Sequence, residues 1–264
     1  MIGALLQHLR IARQFARIGV VRKAQFKIEF WFQVAMDFIW YATHVAMFEF
    51  LYMQAEAIAG WERDEFRVLL GYLFVSDAFM MVWLGRMGRF GRDVKDGALD
   101  PFRVRPAATL FLYAFQQFSL EGCINMAMAC AYLGYAVAIA CGLSPESVAA
   151  ILLGIALCFW VRVVIVTLFS TGELWLLGSE IGSFFRDVLY STTDRPMDVF
   201  GARLRLFLLY IVPVGALTQV PASLVLGHYS ALEAAAACAW LVALGLAVFA
   251  MWNRSLRRYE SARG

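Results

Sequence analysis

The sequence predicts an all-α, polytopic membrane protein. Six transmembrane helices are expected, with an amphipathic elbow helix before the first and an interfacial or re-entrant helix before the fifth. Three observations lead there. Of 264 residues, 62% are apolar and only 16% charged, against roughly 45–50% and about 25% in a soluble domain. The mean hydropathy is +0.67, and the apolar residues fall in long runs separated by short charged segments. Lysine and arginine concentrate in alternate loops. Together these exclude a disordered chain, a disulfide scaffold and a soluble globular enzyme, and they leave no room for a large soluble domain.

The chain divides into residues 1–27, an amphipathic elbow, and 28–264, a single transmembrane domain. In the first part Leu5, Leu9, Ala12, Ala16 and Val20 alternate with arginines. That pattern suits a helix resting on the inner leaflet, near anionic headgroups. It is not a signal peptide, because Arg10, Arg13 and Arg17 interrupt every stretch that could serve as an apolar core. A crossing needs about 20 apolar residues, and such runs lie at 28–53, 66–88, 107–138, 147–170, 203–226 and 231–252. The third is longer than one crossing and is expected to tilt or break.

Orientation follows from the basic residues. Segment 1–27 carries six Lys and Arg with no acid; segment 86–106 carries Arg86, Arg89, Arg92, Lys95, Arg103 and Arg105; the tail carries Arg254, Arg257, Arg258 and Arg263. Loop 54–65 is acidic, and the turns at 141–146 and 227–230 have no basic residue. Both termini are therefore expected in the cytoplasm. Segment 173–190 could be a seventh span, but Leu174, Leu177, Ile181, Phe184 and Val188 share one helical face with Glu173, Glu180 and Asp187 on another. An odd count would also place the basic tail outside. It is read as a cytoplasmic-side interfacial or re-entrant helix.

Little catalytic chemistry is visible. There is no GxxxxGK[ST] phosphate loop, HExxH, CxxC or GxSxG. Five scattered cysteines and three distant histidines suggest neither a disulfide framework nor a metal site. Gly85, Gly88 and Gly91 form a GxxGxxG with no preceding strand, which reads as a loosened helix end and not as a dinucleotide site.

Polar residues inside spans are costly and therefore informative. They are Asp37, His44 and Glu49 in the first span, Asp77 in the second, Glu121 and Asn125 in the third and Arg162 in the fourth. Asp37 and His44 share a helical face, as do Glu121 and Asn125. Glu49 is expected near the outer surface. Arg162 needs a carboxylate partner, with Glu121 preferred on depth and Asp77 in reserve. These residues either line a substrate path or fix helix packing. In the last span Ala231, Ala235, Ala239, Ala243 and Ala247 recur every four residues. Small residues at that spacing suit a close helix–helix contact, within the subunit or between subunits. Pro213 and Pro221 are expected to bend or break the fifth span and so to form a gate or a mere kink.

Three blocks carry a resemblance. In the loop after the second span an acidic–Gly–Leu run followed by Arg-Pro is matched by Asp96, Gly97, Leu99, Arg105 and Pro106, with Arg103-Val104 where Leu-Leu is usual. A proline block is matched by Val212, Pro213, Val220, Pro221 and Ala222. The ending is matched by Leu256, Arg257, Arg258, Tyr259, Ser261, Ala262 and Gly264. With six spans, the chain resembles the permease subunits of bacterial ABC type-2 exporters, in particular the "ABC-2 family transporter" permeases encoded beside a daunorubicin-type ATPase. The resemblance implies an inner-membrane exporter subunit for an amphipathic or lipid-like substrate. It implies two copies of a separate ATPase that binds the ATP and magnesium, and a second permease, identical or homologous. Partners would include membrane lipid and no nucleic acid. Segment 86–106 would then be the coupling loop, with Asp93, Val94, Lys95, Asp96, Leu99 and Phe102 in a short docking helix ended by Pro101 and Pro106. The alternatives are a proton-coupled carrier using Asp37, Asp77 and Glu121, though no inverted repeat is visible, and an intramembrane lipid-modifying enzyme with His44 and Asp37 as acid and base.

Overall fold

The computed structural model describes Gln14 and residues 27–105, 108–176 and 191–259. Apart from Gln14 and Lys27, the elbow segment 1–27 lies outside the described residues, as do Pro106, the tail residues Ser261, Ala262 and Gly264, and residues 177–190 of segment 173–190. The rest is helical. α1 runs Lys27–Tyr52. A two-residue turn at Ala59 and Gly60, both at positive φ, joins β1 (Ala57–Ile58) to β2 (Trp61–Glu62) in a tight antiparallel hairpin. α2 (Arg63–Phe79) follows. It continues through a π turn at Met80–Leu84 and a 3-10 turn at Gly85–Arg89 into α3 (Phe90–Lys95). The helical path thus runs through the GxxGxxG instead of ending there, and half of segment 86–106 extends the second span.

α3 stops at Gly97, whose φ of +68° admits a residue without Cβ. The amides of Gly97 and Ala98 bond to the carbonyls of Val94 and Asp93 at 3.1 and 2.8 Å, which satisfies the free helix end. Two short helices follow, α4 (Asp100–Arg103) and α5 (Thr109–Ala114). The expected third span breaks here. Ser119 caps a new helix, α6 (Leu120–Ala140), and its N–H bonds the Val82 carbonyl of the π turn at 3.2 Å. α7 (Pro145–Trp175) begins with a Ser144–Ser147 capping box and Pro145 in its first turn. α10 (Ala231–Arg258) begins with a Ser230–Glu233 box.

α2 is the central element. α6 packs along α2 and touches α1, whereas α7 packs on α2, on α9 (Gln219–Val225) and on α10. So α6 and α7, joined by a short turn, are not the neighbours their sequence proximity suggests; α2 lies between them. α10 buries Leu241, Gly245, Val248 and Trp252, and a Cβ on Gly245 would lie 2.4 Å from the Trp160 ring. The alanine stripe Ala231, Ala235, Ala239, Ala243 and Ala247 is exposed. It faces away from the other described helices, so among the described residues it makes no contact within the subunit.

Among the described residues four helical runs are long and apolar enough to cross a membrane: Arg63–Lys95, Leu120–Ala140, Pro145–Trp175 and Ala231–Arg258. The expected fifth span is instead a bent pair. α8 (Ala202–Leu206) passes through a π turn to Ile211, and α9 follows after a 65° bend. Pro213 lies in the break, between Val212 and Val214. Pro221 does not bend anything. It lies in the first turn of α9, where its missing N–H would have had no helical partner. Both ends of this pair meet at Trp61: its Nε1 donates to Asp198 at 3.1 Å, and its ring packs on His228 at 5.5 Å. His228 also bonds Glu65 at 2.8 Å. The pair therefore enters and leaves at one end of the molecule. Trp175 lies at the other end, donating to Ser255 near the close of α10. Trp175 and Asp198 thus lie at opposite ends of the molecule.

Topology reporters at residues 60, 144 and 198 should read one side, and those at 95 and 264 the other. A reporter at 198 that reads with 95 would show that the bent pair is a crossing after all.

Candidate functional site

Arg162 is 3% exposed. Its Nη2 pairs with Asp77, and its Nε donates to the Ser76 carbonyl at 3.2 Å. At 1.5 Å per residue, Asp77 lies about 21 Å from the Arg63 end of its helix and Arg162 about 26 Å from the Pro145 end. Both lie well away from the ends of helices long enough to cross a hydrocarbon layer of about 30 Å. The carboxylate predicted as first choice, Glu121, instead sits in the first turn of α6 and accepts from Ser119 at 2.9 Å, a helix end that favours an acid. Depth alone ranked it first; the neighbour relation of α2 and α7 chose Asp77.

The ion pair forms one wall of a cavity of about 750 Å³ between α1, α2 and α7. Asp37, His44, Asp77 and Arg162 all line it. Asp37, 9% exposed, accepts from Gln33 at 3.1 Å and from Asn125 of α6 at 2.6 Å. The Asn125 amide also lies 3.2 Å from the Met81 sulfur. His44 Nδ1 donates to the Trp40 carbonyl at 3.0 Å, and its ring lies 4.0 Å from that of Trp40. Met36, Ile39, Trp40, Met80 and Met81 supply the apolar walls. His44 and Asp37 share the cavity without bonding each other among the described residues.

Sequence reasoning missed Gln33, Trp40 and Thr43. Gln33 had a signal, one helical turn before Asp37 and on its face. Glu121 does not line the cavity. Glu49 instead ties the far end of α1 to α2, accepting from Arg63 and, at 2.6 Å, from Arg67.

The residues expected to couple to an ATPase divide into two groups. Asp93 and Leu99 are buried. Asp93 accepts from Arg86 and from the Tyr113 hydroxyl, at 2.6 and 2.7 Å, and Tyr259 OH bonds the Val94 carbonyl at 3.3 Å. These contacts hold the loop in place and offer nothing to a partner. Asp96, Arg103, Val104 and Arg105 are exposed, and Arg105 covers the half-buried Phe102 ring. Gly97 is the turn described above.

A family model described as ABC-2 family transporter protein matches residues 38–263, most of the chain. The chain belongs to this family. It is a multi-pass membrane protein of the ABC-2 transporter class, as its resemblance implied. No curated protein and no solved structure matches it. The match takes in the cavity residues on α2 and α7, the loop at 96–105, the proline block and the tail.

Removing one member of a buried ion pair costs about 3–5 kcal/mol, because it strands the other charge. Asp77→Asn should therefore lower the thermal unfolding temperature sharply in detergent, and Asp77→Asn with Arg162→Met should recover part of the loss. Glu121→Gln should cost much less. Equal losses for Asp77→Asn and Glu121→Gln would refute the assignment.

Proposed function

We propose that this chain is the permease subunit of an ATP-driven exporter, moving an amphipathic or lipid-like substrate out of the cytoplasm. The family match over residues 38–263 carries the reading. The charged cavity supports it: ionisable groups at membrane depth belong to pathways more often than to packing alone. Families of this kind work with a separate ATPase. Two copies of it would bind the ATP and magnesium, since this sequence has no phosphate loop. A second permease, identical or homologous, would complete the assembly, and the exposed alanine stripe of α10 is available to such a neighbour.

The membrane is the bacterial inner membrane, with both termini in the cytoplasm. Six crossings follow from parity. Four are α2 with α3, α6, α7 and α10, α1 is taken as a fifth, and termini on one side require an even count. The basic residues at 86–105 and 254–258 then share the cytoplasmic side, as the charge bias requires. The docking surface is the exposed rim of the coupling loop, Asp96, Phe102 and Arg105, with Pro106 following. A proton-coupled carrier is less well supported, because Asp77 is already committed to Arg162 and Glu121 lies away from the cavity.

The chain expressed with its ATPase should copurify with it, and alone it should hydrolyse no ATP. Asp96→Lys and Arg105→Glu should lower association severalfold while leaving the unfolding temperature unchanged. Leu99→Ser should lower the unfolding temperature instead, since Leu99 is fully buried. Transport by the lone chain on an ion gradient would favour the carrier.

A further inference from the structure

The cavity holds two carboxylates and one guanidinium. Asp77 and Arg162 neutralise each other. Asp37 is left with neutral donors, the amides of Gln33 and Asn125, and no Lys or Arg reaches it among the described residues. His44, with Nδ1 committed to the Trp40 carbonyl, presents Nε2 as an acceptor when neutral. Asn125 Oδ1, fully buried beside Asp37, finds no donor among the described residues. Acceptors therefore outnumber donors on this wall, and among the described residues no basic side chain pairs with Asp37. A carboxylate without a counter-ion in apolar surroundings is costly, and a cation complements it. An anion would meet Asp37 and Asp77 together.

The remaining walls fit the same occupant. Trp40 offers the side chain best suited to a cation–π contact. Met36, Met80 and Met81 are flexible and polarisable, able to follow apolar bodies of different shape. The volume of about 750 Å³ falls in the range of drug-sized ligands, roughly 300–1,000 Å³.

We propose that this cavity binds the positively charged head of an amphiphilic substrate, a protonated amine or comparable monocation, with Asp37 as its counter-charge and Trp40 as its aromatic face. The proposal rests on the exporter reading only in treating the bound molecule as a transport substrate.

Tetraphenylphosphonium and tetraphenylborate have nearly the same size and shape and opposite charge. Their binding to the purified full chain in phosphatidylcholine nanodiscs, corrected for empty discs, tests the sign of the site. Tetraphenylphosphonium should bind saturably and tetraphenylborate should not. Asp37→Asn keeps an acceptor for Asn125 and should weaken tetraphenylphosphonium about tenfold, through the loss of one charge–charge attraction across a partly solvated site. Asp37→Glu should retain the preference, and Trp40→Leu should weaken the cation severalfold. Unfolding temperatures of each variant, measured in the same discs, separate lost binding from lost fold. Saturable tetraphenylborate binding, absence of tetraphenylphosphonium binding, or equal affinity in a folded Asp37→Asn variant would overturn the proposal. None of these touches the exporter reading, which stands or falls on copurification of the ATPase.

Discussion

A guanidinium midway along a membrane-spanning helix must find a carboxylate, and much of this molecule is arranged around that need. Unpaired at the bilayer centre it would cost at least ~2.5–3.5 kcal/mol on the lenient insertion scale. Arg162 finds Asp77 on α2 and adds the Ser76 carbonyl of the same helix. That contact fixes α7 against α2. α6 then occupies another face of α2, despite the short turn that joins it to α7. This pair, whose members lie 85 residues apart, thus joins α2 directly to α7.

The π turn at Met80–Leu84 belongs to the same arrangement. It lies three residues beyond Asp77, and its Val82 carbonyl accepts the Ser119 amide at the start of α6. A Cβ on Gly122 would lie 2.8 Å from the Val82 backbone nitrogen, so α6 approaches the turn as closely as a glycine permits. π turns recur where helices are adapted to function. Here one places Met80 and Met81 in the cavity wall beside the ion pair.

Polar contacts elsewhere gather at the two ends. At one end Glu49 joins Arg63 and Arg67, and Trp61 joins Asp198 and His228. At the other, Asp93 joins Arg86 and Tyr113, and Tyr259 closes on Val94. Between them lies the cavity with its charged wall. In the loop after α3, Leu99 matches a family position yet is buried and serves the loop's shape, as does Asp93, whereas the matched Asp96 and Arg105 are exposed.

The sequence by itself determined the membrane class, because composition and run length follow directly from the solvent a chain must face. It also determined several helix boundaries. Ser144, Ser230 and Gly97 act through local hydrogen bonds that need no tertiary partner. The family was legible too, in the loop, proline and tail blocks. The tertiary structure decided what depends on contact between distant segments. It chose Asp77 over Glu121, because depth along a helix does not say which helix lies beside it. It brought both ends of the bent pair to Trp61, since a hydropathy run cannot tell a crossing from a segment that returns. It turned the alanine stripe outward and made Pro221 harmless. It also gathered Asp37, His44, Asp77 and Arg162 around one cavity, although no spacing between α1, α2 and α7 encodes their meeting: helical periodicity fixes the face of a residue, and only packing fixes what that face meets.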